Sequence, residues 1–207
     1  MRLTKTASGK TTIKMSRQEW SDMGKKAGWI SKRAMDSDDP IVENIITEEM
    51  KKFFYERTKA HIESVKGYCR KIENYDPERF RGLSARGESH DQSKYCDLEL
   101  DPYIWLTWKF KCKDDNRDFS GPPDMDDKIC EAIKHHKGQN RHHPEYFNGD
   151  TNKMSTIDIG EMVADWCAVS EEKGTSLEEW ARKNVNVKWV FTKEQESIIY
   201  ELIKEVF

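Results

Sequence analysis

The sequence predicts an all-α protein with a short N-terminal extension, and three observations carry that prediction. From residue 41 onward, apolar side chains recur at spacings of three, four and seven rather than two. Several segments open with Ser or Thr followed three residues later by an acid or amide, the signature of a capped helix start. Strand-like patterning is confined to the N-terminus and to residues 187–191.

Size and composition are compatible with this class. A chain of 207 residues and 24.4 kDa fits one domain with room for an extension. Apolar residues make up 36% and charged residues 35%, but 7 Trp, 8 Phe and 7 Tyr supply enough bulk for a core. A net charge of -3 argues against an electrostatic grip on long nucleic acid or an anionic membrane, while leaving room for a local basic pocket. No apolar run approaches the roughly 18 to 20 residues that cross a bilayer. The opening MRLTKTASGKTTIKM has positive charge but no apolar centre, so it is not a secretory signal. The five cysteines Cys69, Cys96, Cys112, Cys130 and Cys167 are scattered and never form a CxxC pair, which fits reduced thiols. The expectation is a soluble cytoplasmic protein.

Residues 1–40 read as an appended arm. Thr11, Ile13 and Met15 alternate as in a short strand. Ser16-Arg17-Gln18-Glu19 then opens a helix bearing Trp20, Met23 and Ala27, with Gly28 as its stop and the turn MDSDDP, closed by Pro40, as a hinge. Residues 41–207 read as the helical domain. Met50, Phe54, His61, Val65, Tyr68 and Ile72 form one stripe of a long helix that ends before Asp76-Pro77. A short segment spans about 86–97, and residues 103–110 form a tryptophan-rich buried helix. The loop CKDDNRDFSGPPDMDD is kept irregular by Gly121-Pro122-Pro123. Ile129, Ile133 and His136 share a face of the next helix. Ser155-Thr156-Ile157-Asp158 starts a helix whose inner side holds Met162, Asp165, Trp166 and Val169. Ser176-Leu177-Glu178-Glu179 and Thr192-Lys193-Glu194-Gln195 are two further capping boxes. Residues 187–191 look extended.

Histidine placement is the chemical signal. Of six histidines, four fall in His135-His136 and His142-His143, one is followed directly by Asp91, and His61 lies in an apolar stripe. Alone, His61 reads as a hydrogen-bonded core histidine, Asp165 as a paired inner acid, and the 135–143 cluster as a solvated loop. Taken together, they suit a metal. A buried carboxylate is costly unless paired or metal-bound, and imidazoles supply neutral ligands without adding repulsion. Two nitrogens from His61 and His90, with two carboxylates from Asp91 and Asp165, nearly neutralise a divalent ion and leave open positions. That composition fits Mn²⁺, Fe²⁺, Co²⁺, Ni²⁺ or Mg²⁺ better than a closed zinc site.

In the order His61, His90-Asp91, Asp165, over roughly residues 45–170, the sequence resembles the HD-domain superfamily of metal-dependent phosphohydrolases. More closely, His90-Asp91-Gln92-Ser93-Lys94, Asn140-Arg141-His142-His143-Pro144-Glu145-Tyr146 and Glu161-Met162-Val163-Ala164-Asp165-Trp166 are similar to the HD-x-SK, N-x-HH and EMVxDW blocks of an HD-related family of phages and bacteria. The resemblance implies an HD-domain-like helical bundle and a metal site. Where HD nucleotidases carry a Glu, this chain has Lys94, which the helical spacing places on the face of His90 and Asp91, suited to an anionic substrate. Its alternative is a surface pair with Asp97. HD relatives with two metals place further histidines before the last Asp and use the equivalent of Asp91 as a bridge. Here His136 is the candidate, with one of His142 and His143, while His135 faces outward or supports a ligand.

The leading expectation is metal-assisted hydrolysis of a small phosphorylated substrate, most simply a nucleotide, with one or two divalent ions. Asp91 would orient the metal-bound water, Lys94 with Arg86 or Arg81 would bind phosphate, and Glu161 would accept a proton or fix a ligand imidazole. Two readings compete with it. An arrangement resembling inositol oxygenase would use His61, His90, Asp91, His136, His142 or His143, and Asp165 to hold two irons. A non-catalytic binding protein would use Trp20 and Trp29 beside Arg17, Lys25 and Lys26.

Overall fold

The computed structural model describes residues 2–5, 11–14 and 46–207. The chain divides into two units, Met1–Glu43 and Asn44–Phe207. In the first, β1 (Arg2–Lys5) pairs antiparallel with β2 (Thr11–Lys14), with Leu3 opposite Ile13. Met15, the helix expected from Ser16, its Gly28 stop and the hinge at Pro40 lie outside the described residues.

The second unit is an all-α bundle. Its helices are α1 (Glu48–Tyr75), α2 (Leu83–Gly87), α3 (Leu100–Asp114), α4 (Met125–Gln139), α5 (Thr156–Lys173), α6 (Leu177–Asn184) and α7 (Lys193–Glu205). Short 3₁₀ turns lie at Gln92–Tyr95, Pro144–Phe147 and Thr151–Lys153. None of the described helices is long and apolar enough to cross a membrane. The five cysteines are unpaired.

The spine is α1. Thr47 caps it by accepting from the Met50 N–H at 3.2 Å, and Glu48 and Glu49 in the first turn suit the positive end of the helix dipole. Its buried stripe is Met50, Phe54, Thr58, Ile62, Val65, Cys69 and Ile72. The stripe serves two separate apolar clusters. Met50 and Phe54 pack with Ile104, Trp105 and Trp108 of α3 and Ile129 of α4. Val65, Cys69 and Ile72 pack with Ile159, Met162 and Val163 of α5 and Ile198, Ile199 and Leu202 of α7. The seam between the clusters falls at the middle of α1.

Three details differ from the sequence expectations. Helix α3 runs to Asp114, so the irregular loop starts later than Cys112. The Ser176 hydroxyl accepts from the Glu179 N–H, but Glu179 does not reciprocate and instead lies 4.0 Å from Lys183, so this start is half a capping box. The pairs Ser155/Asp158 and Thr192/Gln195 form complete boxes. Residues 187–191 are not a strand. The Asn184 carbonyl accepts from the N–H groups of Val187, Lys188 and Trp189, closing a turn in which Asn186 is left-handed. Val187 and Val190 are left in solvent, so their β-branched pattern has no sheet to join.

Candidate metal centre

His61 projects from the middle of α1, where the two clusters leave space between Phe54 and Val65. The second contribution arrives on the loop after α2. That helix ends at Gly87, where a Cβ would stand 3.1 Å from the Cys69 Cβ, so glycine lets the loop lie close against α1. His90 follows, and then Asp91 at φ 56, a left-handed conformation that Asp tolerates better than most residues. This turn breaks the helical continuity expected through Lys94. Lys94 instead sits on the 3₁₀ turn, where a residue lies over the one three before it, and its Nζ reaches Asp91 Oδ2 at 2.5 Å rather than pairing with Asp97. His136 comes from the last turn of α4, on the buried stripe Met125, Ile129, Ala132. His142 and His143 follow in the next turn, which the Asn140 side chain pins by donating to Ser93 Oγ at 2.8 Å and the His136 carbonyl at 2.7 Å. Asp165 projects from α5, one turn after Glu161.

These groups converge around one carboxylate. Asp91 Oδ2 is 3.5 Å from both His61 Nε2 and His90 Nε2. Asp165 Oδ1 closes that group at 3.2 Å from His61 Nε2 and 3.7 Å from His90 Nε2. The other oxygen, Asp91 Oδ1, is 3.2 Å from His136 Nε2 and 3.6 Å from His142 Nε2. His143 joins this second group: His136, His142 and His143 each offer a nitrogen within 4.8 Å of the others. So both residues of the His142-His143 pair converge here. The Nε2 atoms of His90, His142 and His143 and Asp91 Oδ1 are buried without a hydrogen-bond partner. Each such orphan costs about 1–3 kcal/mol. Ligands about 2.1 Å from an ion stand about 3.0–3.4 Å apart in octahedral or tetrahedral arrangements. The closest pairs, at 3.2 Å, fall in that range and the others lie slightly wide of it. His61, His90 and Asp165 thus form one group that could hold a divalent ion, and His136, His142 and His143 a second, with Asp91 between them.

Behind the imidazoles lies a row of acids. Glu161 Oε1 is 3.0 Å from His90 Nδ1 and 3.4 Å from His142 Nδ1, holding one histidine of each group. Glu99 Oε2 is 2.9 Å from His136 Nδ1, and its Oε1 is 2.7 Å from His135 Nδ1. With Nδ1–H donated backward, Nε2 is left as the lone pair facing the cavity. Of the two roles expected of Glu161, the geometry matches fixing imidazoles, since it lies behind them and does not line the cavity. Arg86 is also behind the site, its Nε 3.0 Å from Glu161 Oε2 and its Nη2 3.0 Å from Asp158 Oδ1. It is therefore not positioned as the phosphate-binding residue expected from the sequence, and Arg81 is exposed and lines no part of the cavity. His135 supports Glu99 rather than facing solvent alone. Sequence reasoning missed Glu99. It is one of 38 acids, and nothing in its spacing announces a buried partner of two histidines.

Electrostatics follow from the packing. Burial alone would depress His90, but Asp91, Asp165 and Glu161 outweigh it and push its pKa up to about 10. His61 and His136 are raised in the same way against burial, by Asp165 and Asp91 for the first and by Asp91 and Glu99 for the second. Burial, with the charge of His142, holds His143 well below the usual imidazole range. Against burial, Asp91 is kept well below the carboxylate range by His90 and Lys94, and Asp165 by His61 and His90. Glu161 falls to about 2, because His142 and His90 outweigh its burial. The site opens to a cavity of about 220 Å³ lined by Thr58, Lys94, Tyr103 and Lys137 besides His61, Asp91, His136, His142, His143 and Asp165, with His90 set deeper.

Residues 50–205 match a family described as a family of unknown function (DUF5662), and the chain belongs to that family. No curated protein and no solved structure matches it.

Proposed function

We propose that this member of the DUF5662 family is a metal-dependent phosphohydrolase of HD-like architecture, acting on a nucleotide or another small phosphoester. The carrying observation is Asp91, which presents one oxygen to His61 and His90 and the other to His136 and His142. His61, His90, Asp91 and Asp165 would hold one ion; Asp91, His136, His142 and His143 would hold the second. Bound divalent ions lower the pKa of coordinated water and polarise a phosphoryl oxygen. Five imidazoles to two carboxylates favour Mn²⁺, Fe²⁺, Co²⁺ or Ni²⁺ over Mg²⁺.

The chain's own residues do the rest. Asp91 orients water between the two groups. Lys94 lines the same cavity beside Asp91, and its ammonium would offset the negative charge that gathers on the phosphate in the transition state. Glu161 and Glu99 keep four imidazoles in register. The test is metal analysis of protein prepared without chelator or nickel affinity, followed by a panel of nucleotides and phosphoesters. His61→Ala and Asp165→Ala are expected to lose metal and hydrolysis together. Full metal retention in both variants would remove those residues from the ligand set.

The imidazole-rich donor set also supports oxygen activation at two irons. Protein purified without air, assayed for bound iron and for oxygen uptake with candidate substrates, separates the two chemistries. Phosphate release without oxygen uptake leaves hydrolysis alone.

A further inference from the structure

Beside the ion cavity lies a larger chamber of about 700 Å³. The two share Arg57, Thr58, Lys94, Tyr103 and Glu172, so one runs into the other. At this neck Arg57 grips Glu172 with two bonds, Nε to Oε1 at 2.5 Å and Nη2 to Oε2 at 3.0 Å, joining α1 to α5. Beyond it the chamber has an apolar wall of Phe53, Leu106 and Phe110, and Phe110 is 54% exposed. Around this wall stand Lys113 and Lys173, and Lys111, which is paired with Asp115 at 3.0 Å, with Asp114 as the acid on the far side of the neck. Lys111 lies 5.3 Å from the centre of the Phe53 ring. In a chain of net charge -3, this is a local reversal of sign beside exposed aromatic surface.

We infer that this chamber is the leaving-group subsite, built for a planar aromatic group that carries an anionic group of its own. The inference rests on the hydrolase reading and adds the substrate's second half. The aromatic part stacks on Phe110 and Phe53, and the extra charge is met by Lys113 and Lys173. The scissile phosphate lies through the neck, beside Lys94 and the ions. A small alkyl phosphate fills only the inner cavity and gains nothing from the chamber.

The test uses the full chain with two probes. Binding of fluorescent N-methylanthraniloyl-ADP is measured by titration, with and without divalent ions. Hydrolysis of 1-naphthyl phosphate is compared with that of methyl phosphate. Phe110→Ala and the pair Lys113→Glu, Lys173→Glu are expected to weaken the nucleotide probe at least tenfold, with metal content and circular dichroism unchanged. Phe110→Ala is expected to raise KM for 1-naphthyl phosphate but not for methyl phosphate. Lys128→Glu, on a different cavity, is expected to change nothing. Wild-type affinity in the chamber variants, or failure of the wild type to bind the probe, overturns the subsite. Probe binding that responds to these variants, in a protein that hydrolyses no phosphoester, keeps the chamber as a site for an aromatic anion and overturns the hydrolase reading and the leaving-group role with it.

Discussion

At Asp91 a left-handed backbone and a buried carboxylate fall on the same residue. Each feature is costly for an L-amino acid or a buried charge, and together they turn two oxygens toward two groups of imidazoles. The acids behind those imidazoles matter nearly as much, because they fix which nitrogen is free. Glu99→Gln is expected to weaken ion binding about 10- to 100-fold with the fold retained, checked by chelator competition. Protonation adds a second expectation. The ion-free His90, at about 10 against an ordinary 6.5, contributes stability that is complete below pH 6.5 and lost as pH rises toward 10. Glu161, at about 2 against 4.5, contributes stability that is present above pH 4.5 and lost as pH falls toward 2. His143, held by burial well below its ordinary 6.5, costs further stability as pH falls below 6.5, so melting of the ion-free protein is expected to peak near pH 6.5. With ions bound, His90 is already deprotonated and the alkaline decline should flatten in calorimetric scans. An unchanged alkaline slope would exclude His90 as a ligand. At this scale the sequence was partly legible: His90-Asp91 by adjacency, and His61 and Asp165 by their apolar stripes. Glu99 and Arg86 were not, because their partners come from residues 36 to 75 positions away.

Among elements, legibility followed the range of the interactions. The boxes at Ser155/Asp158 and Thr192/Gln195 are written within four residues, and both form. Residues 187–191 have strand-like composition but no neighbouring strand, so the local turn wins. Helix α5 combines both kinds of control. Asp158 closes its capping box, accepts from Arg141 at 3.0 and 2.9 Å, and accepts from Arg86 at 3.0 Å. One buried carboxylate thus ties the start of α5 to α2 and to the turn bearing His142. Asp158→Asn is expected to cost on the order of 2 kcal/mol, below the range for fully buried pairs because both arginines are partly solvated. Urea unfolding checks this; a loss under about 0.5 kcal/mol would reduce Asp158 to an ordinary cap.

For the helical unit as a whole, the site lies in the seam between two apolar clusters that share α1. Its candidate ligands come from α1, the loop before α3, the end of α4 with the turn after it, and α5. Ions there would join segments that otherwise belong to different clusters. At a hundredfold excess over the dissociation constant, binding adds about 2.7 kcal/mol. For a unit of this size that is a rise of roughly 5–10 °C in Tm. Thermal scans with Mn²⁺ or Fe²⁺ are expected to show it, reversed by chelator and absent in His61→Ala. No shift with any divalent ion would count against the centre. The all-α class was legible from periodicity alone, whereas the two-cluster arrangement depends on which helices pack, and no single segment encodes that.

The Arg57–Glu172 clasp carries one more consequence on the proposed reading. His61, Asp165 and His143 line the same cavity as Arg57 and Glu172, so ions and a phosphoester would occupy adjoining space. A seated substrate would then be expected to slow the exchange of ions with the surrounding metal pool.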